Sequence, residues 1–406
     1  MSTIFDAVVV GAGAVGVSTA RALRTLKPGW RLGVLEKEPF AARHTSGRNS
    51  GVVHAGFNQK PGTLKAKFCV EGNRVLEGVA QRLGVPFRRI GTLVTAASDN
   101  EAKVLEELFN RGRANGVPGL EIVDRGKIAS LEPNALGKFG LHAPSGGIID
   151  SKLLVEKLAV EIKENGAETQ FFSKVAGIEE TAEGFRLAVV SNHETRHVLA
   201  RRLVNCAGLY ADQIAHFLDV GREYFIVPFR GEYWKLAAQK SSLVRSMVYP
   251  APDPRYPFLG VHWTKKIDGG LAVGPNAVLA LGRESYGFWD IRWRETLTMA
   301  ANPGFLRLLS KLDFWQLAAH QIKISLSKKF FMREALRLVR GADARDLVRG
   351  PAGNRAQLVR RDGTLVDDMV VLIKGSSIHV LNAVSPGLTS SLPFGEHLAA
   401  MVAQFN

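Results

Sequence analysis

The sequence predicts an α/β fold interrupted by an α+β insertion, and three observations carry that reading. The first forty residues run strand, tight glycine turn, helix, strand. Short strands recur later, at Arg202 to Ala207, which ends in Gly208, and at His379 to Asn382. Between them lies a region rich in aromatics, prolines and alternating patterns, which suits antiparallel strands. At 406 residues the chain can bury two cores. The order implies a discontinuous nucleotide-binding domain over 1–80, 145–215 and 345–406. A substrate domain then occupies 81–144 and 216–344.

Ala7 to Val10 reads as a strand buried on both faces. Val17, Ala20 and Leu23 recur at helical spacing until Pro28-Gly29 breaks the pattern. Leu32 to Leu35 is a second strand, closed by Glu36. Leu64 to Leu83 and Asn100 to Asn110 are helical, with a strand at Gly91 to Thr95 between them. Ser151 to Asn165 reads as a capped helix and Gln170 to Val190 as a strand pair. Val227 to Val273 supplies antiparallel strands, Met299 to Arg340 is helical and basic, and a terminal helix starts near Gly395.

Composition narrows the function. Hydrophobic residues at 46% and charged residues at 22% are ordinary for a soluble globular protein. No apolar run approaches the roughly 18 residues of a spanning helix, and Met1 to Asp6 leads into a strand without a basic leader, so no signal peptide is expected. Two cysteines, Cys69 and Cys206, allow at most one bridge and point to a reducing, cytoplasmic setting. The net charge of +15 fits attraction to anionic lipid or acidic substrates, or a generally basic background. The basic residues are scattered without a nucleic-acid motif, so no nucleic-acid partner is expected.

Gly11-Ala12-Gly13-Ala14-Val15-Gly16 is a G-x-G-x-x-G between a strand and a helix, and Glu36 follows Gly16 by 20 residues. Gly11 permits the tight turn, Gly13 lets backbone amides reach a pyrophosphate, and Gly16 lets helix and strand pack closely. The helix N-terminus, through Ala14 and Val15, favours the negative charge. Glu36 can accept hydrogen bonds from a ribose diol, which argues against a 2′-phosphorylated nucleotide. Three features favour FAD over NAD. The motif opens the chain without a second copy for a nicotinamide partner. Thr45-Ser46-Gly47-Arg48-Asn49-Ser50-Gly51 offers small residues and amides to a long cofactor. The Asn382 to Ser391 loop and the Asn205-Cys206-Ala207-Gly208 strand end suit close backbone approach to a flavin. The expected architecture is therefore a Rossmann-type, glutathione-reductase-like FAD domain with an antiparallel-sheet substrate domain. No metal ligand set is expected.

Asp6 to Glu38, Thr45 to Gly56 and Lys65 to Gly72 resemble the FAD-dependent D-amino-acid oxidase superfamily. Asn49 to Gly56, Phe229-Arg230-Gly231-Glu232-Tyr233, Tyr249 to Pro254, Phe258 to His262, Gly274 to Ala277, Gly350 to Gly353 and Arg355-Ala356-Gln357 resemble its L-2-hydroxyglutarate oxidase and dehydrogenase branch. That resemblance implies oxidation of L-2-hydroxyglutarate to 2-oxoglutarate, with hydride passing to the flavin N5 and electrons leaving to a quinone, an electron carrier or oxygen. It implies cofactor contacts from Lys37, Val52, His54 and Val175 besides the glycines, Glu36, Thr45, Ser46, Asn49, Ser50, Gly51, Ala207 and Gly208. Ser385, Pro386, Gly387, Leu388 and Thr389 complete that set. The chain departs from the branch at Phe57-Asn58-Gln59, Asn354 and Gly387-Leu388, near the cofactor and substrate face.

Oxidation of an alcohol needs a group to take the hydroxyl proton, and a histidine has a suitable pKa. His262, in a Gly-Val-His-Trp strand, is preferred as the base, and His54 is the second candidate. Covalent flavin attachment through His54 is an alternative reading. A dicarboxylate wants arginine and hydroxyl donors, for which Arg48, Arg230, Arg255, Tyr233 and Tyr249 are candidates. The segment Met299 to Arg340 carries eight basic residues against Asp313 and Glu334, interleaved with Phe305, Phe314, Trp315, Phe330 and Phe331. It suits either an anionic membrane surface or ordinary helices with a solvated basic face. Two rival functions are a glycine- or sarcosine-oxidase-like amine oxidase and a degenerate flavoprotein serving as a scaffold.

Overall fold

The protein is described by a computed structural model covering residues 4–252 and 260–405. The chain opens with β1 (Ala7–Val10), α1 (Ala14–Leu26) and β2 (Leu32–Leu35). It continues through α2 (Leu64–Arg82), α3 (Ser151–Glu164), β3 (Glu168–Gln170), β4 (Leu203–Asn205), β5 (Val370–Lys374), β6 (Ser377–Asn382) and α4 (Gly387–Val402). The six strands form one sheet in the order β5-β6-β4-β1-β2-β3. Every join is parallel except the β5–β6 hairpin at the edge. β1 sits near the middle with all four residues buried, as its apolar run requires.

α1, α2, α3 and α4 cover one face of this sheet, with Val17, Leu76, Leu154 and Leu398 in a shared core. An antiparallel meander, Lys174–Thr181, Gly184–Ser191 and Glu194–Ala200, covers the other face through Leu187, Val189 and Val198. The result is a three-layer Rossmann-type domain.

α4 begins at Gly387, not near Gly395. Pro393 and Gly395 read as helix punctuation in the sequence, yet both lie inside the helix and serve packing. Proline lacks the N–H that would bond to the Thr389 carbonyl one turn back. A Cβ at Gly72 of α2 would lie 1.8 Å from that carbonyl, and one at Gly395 would lie 2.5 Å from the Ser18 backbone of α1. Two neighbouring helices therefore approach α4 at backbone distance.

Among the described residues, nine more strands form a second large sheet, and Val52–Val53, Phe87–Arg89 and Gly147–Ile149 form a small three-stranded one. Thr92–Ala96, Glu121–Asp124 and Phe139–Ala143 come from the first insertion. Tyr224–Leu236, Met247–Pro250, His262–Lys265, Leu271–Gly274 and Val278–Leu279 come from the second. Met247–Pro250 pairs parallel with Thr92–Ala96, an exception to the antiparallel reading that arises where strands from separate insertions meet. Leu347–Arg360, a strand beyond residue 345, pairs along almost the whole of Tyr224–Leu236. The basic segment is four helices, Trp293–Ala300, Pro303–Leu309, Leu312–Leu326 and Lys328–Leu336. It starts before Met299 and ends before Arg340.

Candidate active site

A cavity of about 820 Å³ lies between the two domains. Its walls include the N-termini of α1 and α4, the Thr45–Val52 segment, and the strand ends that carry His262, Tyr233 and Tyr249.

The nucleotide end is built around the β1–α1 turn. Gly11 has φ +103°, and a Cβ there would lie 2.6 Å from the Cys206 carbonyl, so the turn admits only glycine. Gly13 caps α1 without a side chain, leaving backbone amides directed at the cavity that Gly13, Ala14 and Val15 line. The Ala14 N–H donates to Ser46 Oγ at 2.9 Å, which ties the turn to the next segment. Glu36 accepts from the Ala12 N–H at 2.7 Å and the Glu38 N–H at 2.9 Å, and burial pushes its carboxyl pKa up.

Ser46, Asn49, Ser50, Val52 and Thr45 line the cavity, while Gly51 closes the loop behind them by donating its N–H to Asn49 Oδ1 at 2.8 Å. Gly208 also lines it, whereas Gly16 and Ala207 stand behind the wall. Ser385, Pro386, Gly387, Leu388 and Thr389 form the other end at the α4 N-terminus. Thr389 is fully buried and fastens this end: its hydroxyl accepts from the His54 N–H at 3.1 Å and donates to the Val52 carbonyl at 3.5 Å.

Two further expected contacts point elsewhere altogether. Lys37 turns away to bond Glu38 and Glu284 beside His44, because those carboxylates offset its burial. Its ammonium occupies the midst of the Glu38, His44 and Glu284 cluster. Val175 begins the meander and is buried in the core beneath the sheet.

At the chemical end, His262 Nδ1 lies 2.9 Å from the Gly260 carbonyl. A carbonyl oxygen can only accept, so Nδ1 carries the proton and Nε2 presents a lone pair. The ring packs on Tyr249 at 4.2 Å between centroids. Burial pushes the His262 pKa down to about 4. His54 is likewise brought down to about 4 by burial and by the neighbouring His262 and Lys65. Its Nε2 lies 3.4 Å from Ser385 Oγ, and its carbonyl accepts from Asn73 Nδ2 at 2.9 Å. Both imidazoles are neutral at pH 7. Burial raises the Tyr233 hydroxyl to about 12 and raises Tyr249 further, so both remain donors.

The expected arginines divide. Arg48 lines the cavity, stacks over Tyr286 at 4.0 Å and donates to the Ala352 carbonyl at 3.3 Å. Arg230 is buried in an ion pair with Glu232 at 2.9 Å, away from the lining. Arg255 lies outside the described residues.

Arg355, which the sequence reading passed over as a site residue, lines the cavity, and burial pushes its pKa down to about 10. Arg355 and Gln357 stand two apart on one strand and share a face, with Arg355 Nε donating to Gln357 Oε1 at 3.1 Å. That i, i+2 polar pair within a strand was the available signal. Lys65, bonded to Asp367 at 2.8 Å, and Arg111 add two more cationic side chains to the lining.

The donor set suits a dinucleotide that carries a flavin. It has two helix N-termini, the buried Glu36 carboxylate just past the end of β2, and Asn354 Oδ1 buried without a partner among the described residues. The sequence profile of a family described as FAD dependent oxidoreductase matches residues 6–401. A relative from Indibacter alkaliphilus, L-2-hydroxyglutarate dehydrogenase, is 37% identical over 96% of this chain and 97% of its own. The human mitochondrial L-2-hydroxyglutarate dehydrogenase is 36% identical over 98% of this chain and 89% of its own. Among solved structures, dithionite-reduced L-alpha-glycerophosphate oxidase from Mycoplasma pneumoniae with FAD bound superposes with a TM-score of 0.79 at 23% identity, covering 99% and 95% of the two chains. Glycine oxidase from Geobacillus kaustophilus gives 0.69 at 15% identity, covering 99% and 95%.

Proposed function

The chain belongs to the FAD dependent oxidoreductase family, and from that premise we propose that it oxidises L-2-hydroxyglutarate to 2-oxoglutarate. The observation that carries the reading is a neutral, buried His262 with its Nε2 lone pair available, on the wall of a cavity that also holds cationic side chains. Its relatives' shared activity, at 36–37% identity over nearly the full length, supplies the substrate.

Bound FAD supplies a two-electron acceptor for the hydride of the substrate carbon. The α1 N-terminus, Ser46 and Glu36 would hold its adenosine diphosphate half, and the 385–389 turn with Thr389 and His54 would hold the ring end. His262 Nε2 accepts the hydroxyl proton as the carbonyl forms, becomes imidazolium, and returns the proton to solvent. Burial makes that imidazolium costly, so the proton leaves readily. His54 is the alternative base. Tyr233, Tyr249 and Arg48 take one carboxylate, and Arg355 is added to that set as a bidentate donor. The electrons leave to a quinone, an electron carrier or oxygen.

The test is an anaerobic addition of L-2-hydroxyglutarate to the purified holoenzyme while the visible flavin band is followed. The expected result is rapid bleaching, absent with the D-enantiomer and with amino acids. Bleaching by glycine or sarcosine alone would transfer the enzyme to amine oxidation. A flavin that no substrate bleaches would remove the catalytic reading.

A further inference from the structure

One end of the cavity takes no part in the hydride and proton steps. Val104, Glu107, Leu108 and Arg111 line it from one face of the Asp99–Ala114 helix. Lys65, from the first turn of α2, and Asp367 join them. Lys65 Nζ donates to the Asp367 carboxylate at 2.8 Å, and Arg111 is bonded to Glu107. Partial burial acts to raise the Asp367 pKa. The hydrogen bond and charge of Lys65, with the charges of Arg355 and Arg111, nevertheless hold it below the ordinary carboxylate range. Three cations thus share this end with two carboxylates, which leaves one positive charge in excess.

The 56–59 turn brings two side-chain amides to the same place. Asn115, which caps the Asp99–Ala114 helix one turn beyond Arg111, donates to the Gly56 and Gln59 carbonyls at 3.0 and 2.9 Å. Asn58 and Gln59 line the cavity and also a recess of about 20 Å³ that His54 and Tyr249 border. Neither side-chain amide has a hydrogen-bond partner among the described residues. Amide N–H groups beside a lysine and an arginine are donors suited to a carboxylate. Asn58 and Gln59 are also among the positions at which the sequence departs from the branch it resembles.

We propose that Lys65 and Arg111, with the amides of Asn58 and Gln59, receive the remote carboxylate of the substrate, and that this subsite selects a second negative charge and not a fixed chain length. The Lys65 side chain is 9% exposed, so its charge is weakly screened. Those of Arg111 and Asp367 are 36% and 76% exposed, so the subsite opens to solvent and a longer chain extends outward. A 2-hydroxy diacid of six carbons is therefore accepted as well as one of five. An acid with an uncharged tail leaves the donors unpaired and is disfavoured. The inference rests on the reading that the chain oxidises a 2-hydroxy acid beside His262.

The test titrates purified holoenzyme with glutarate, adipate and pentanoate by calorimetry. Glutarate and pentanoate share a chain length and differ only in the second carboxylate. Pentanoate should bind about tenfold or more weaker than glutarate. Adipate should stay within roughly fivefold of glutarate, where a closed pocket separates acids one methylene apart by roughly 10- to 200-fold. Arg111→Met should weaken both diacids about tenfold and leave pentanoate unchanged. An Asn58→Leu, Gln59→Leu variant keeps the cations and should show the same split. Pentanoate that binds as tightly as glutarate overturns the subsite, as does glutarate that does not bind. A loss equal for diacids and monoacid in both variants overturns it too. Adipate separated from glutarate as in a closed pocket overturns the open end. Binding is read without turnover, so a holoenzyme that shows this pattern but is not bleached by L-2-hydroxyglutarate keeps the subsite and loses the assigned reaction.

Discussion

His262 and His54 stand a short electrostatic reach apart, and each would be destabilised by a charge on the other. Burial dominates both shifts, so the resting site holds two neutral rings at pH 7. For His262 the Gly260 carbonyl also fixes the tautomer. A base with a lowered pKa is active above that value and is lost as pH falls through it. kcat/KM should therefore be level from about pH 5 to 8 and drop through about 4, read from a pH–rate profile. His262→Asn should lower the rate of anaerobic bleaching on the order of 10²- to 10⁴-fold while FAD stays bound. An unchanged rate would move the role to His54. The sequence brought both histidines forward and put His262 first, without the geometry around either ring. The Gly260 contact and the Tyr249 ring that settle the geometry come from backbone course and from a separate strand. Arg355 was missed for the same reason, since burial within an alternating strand is a tertiary property.

At the level of elements, local chemistry was legible where one segment dictated its own shape. The G-x-G-x-x-G turn, the α1 periodicity and the buried β1 follow from residues adjacent in sequence. α4 was misplaced because Pro393 and Gly395 look like helix breakers. Their reasons for being there are α1 and α2, hundreds of residues away in sequence. Gly395→Ala should cost about 1–3 kcal/mol by denaturant melting, because its Cβ would meet the Ser18 backbone and not a movable side-chain end. Gly29→Ala, with open space around its Cβ position, is the control, and a matching loss there would refute the packing argument. The basic segment was half legible. Its charges were visible in sequence, but which apolar side chains face outward depends on what each helix packs against.

For the whole molecule, the cavity that would take the cofactor joins segments far apart in the chain. The α1 and α4 termini and the Thr45–Val52 segment converge on one cavity. A ligand that binds only the folded state raises its stability, by about 4 kcal/mol at a thousandfold excess over Kd. The melting temperature should accordingly rise with added FAD and fall when FAD is stripped; a midpoint insensitive to FAD would contradict this arrangement. The order of segments led the sequence reading to give residues 345–406 to the nucleotide domain, but the pairing of Leu347–Arg360 with Tyr224–Leu236 could not be read there, since partners over a hundred residues apart leave no local signature. The strand order has one further consequence. β4, the direct neighbour of β1 on one side, is itself flanked by β6, and α1 packs on α4. A ribosome delivers β6 and α4 only after nearly all the rest, so α1, made first, waits through most of synthesis for the helix it packs on. During that interval the face of α1 that meets α4 is open to chaperones, and the flavin can be captured only after translation has all but ended.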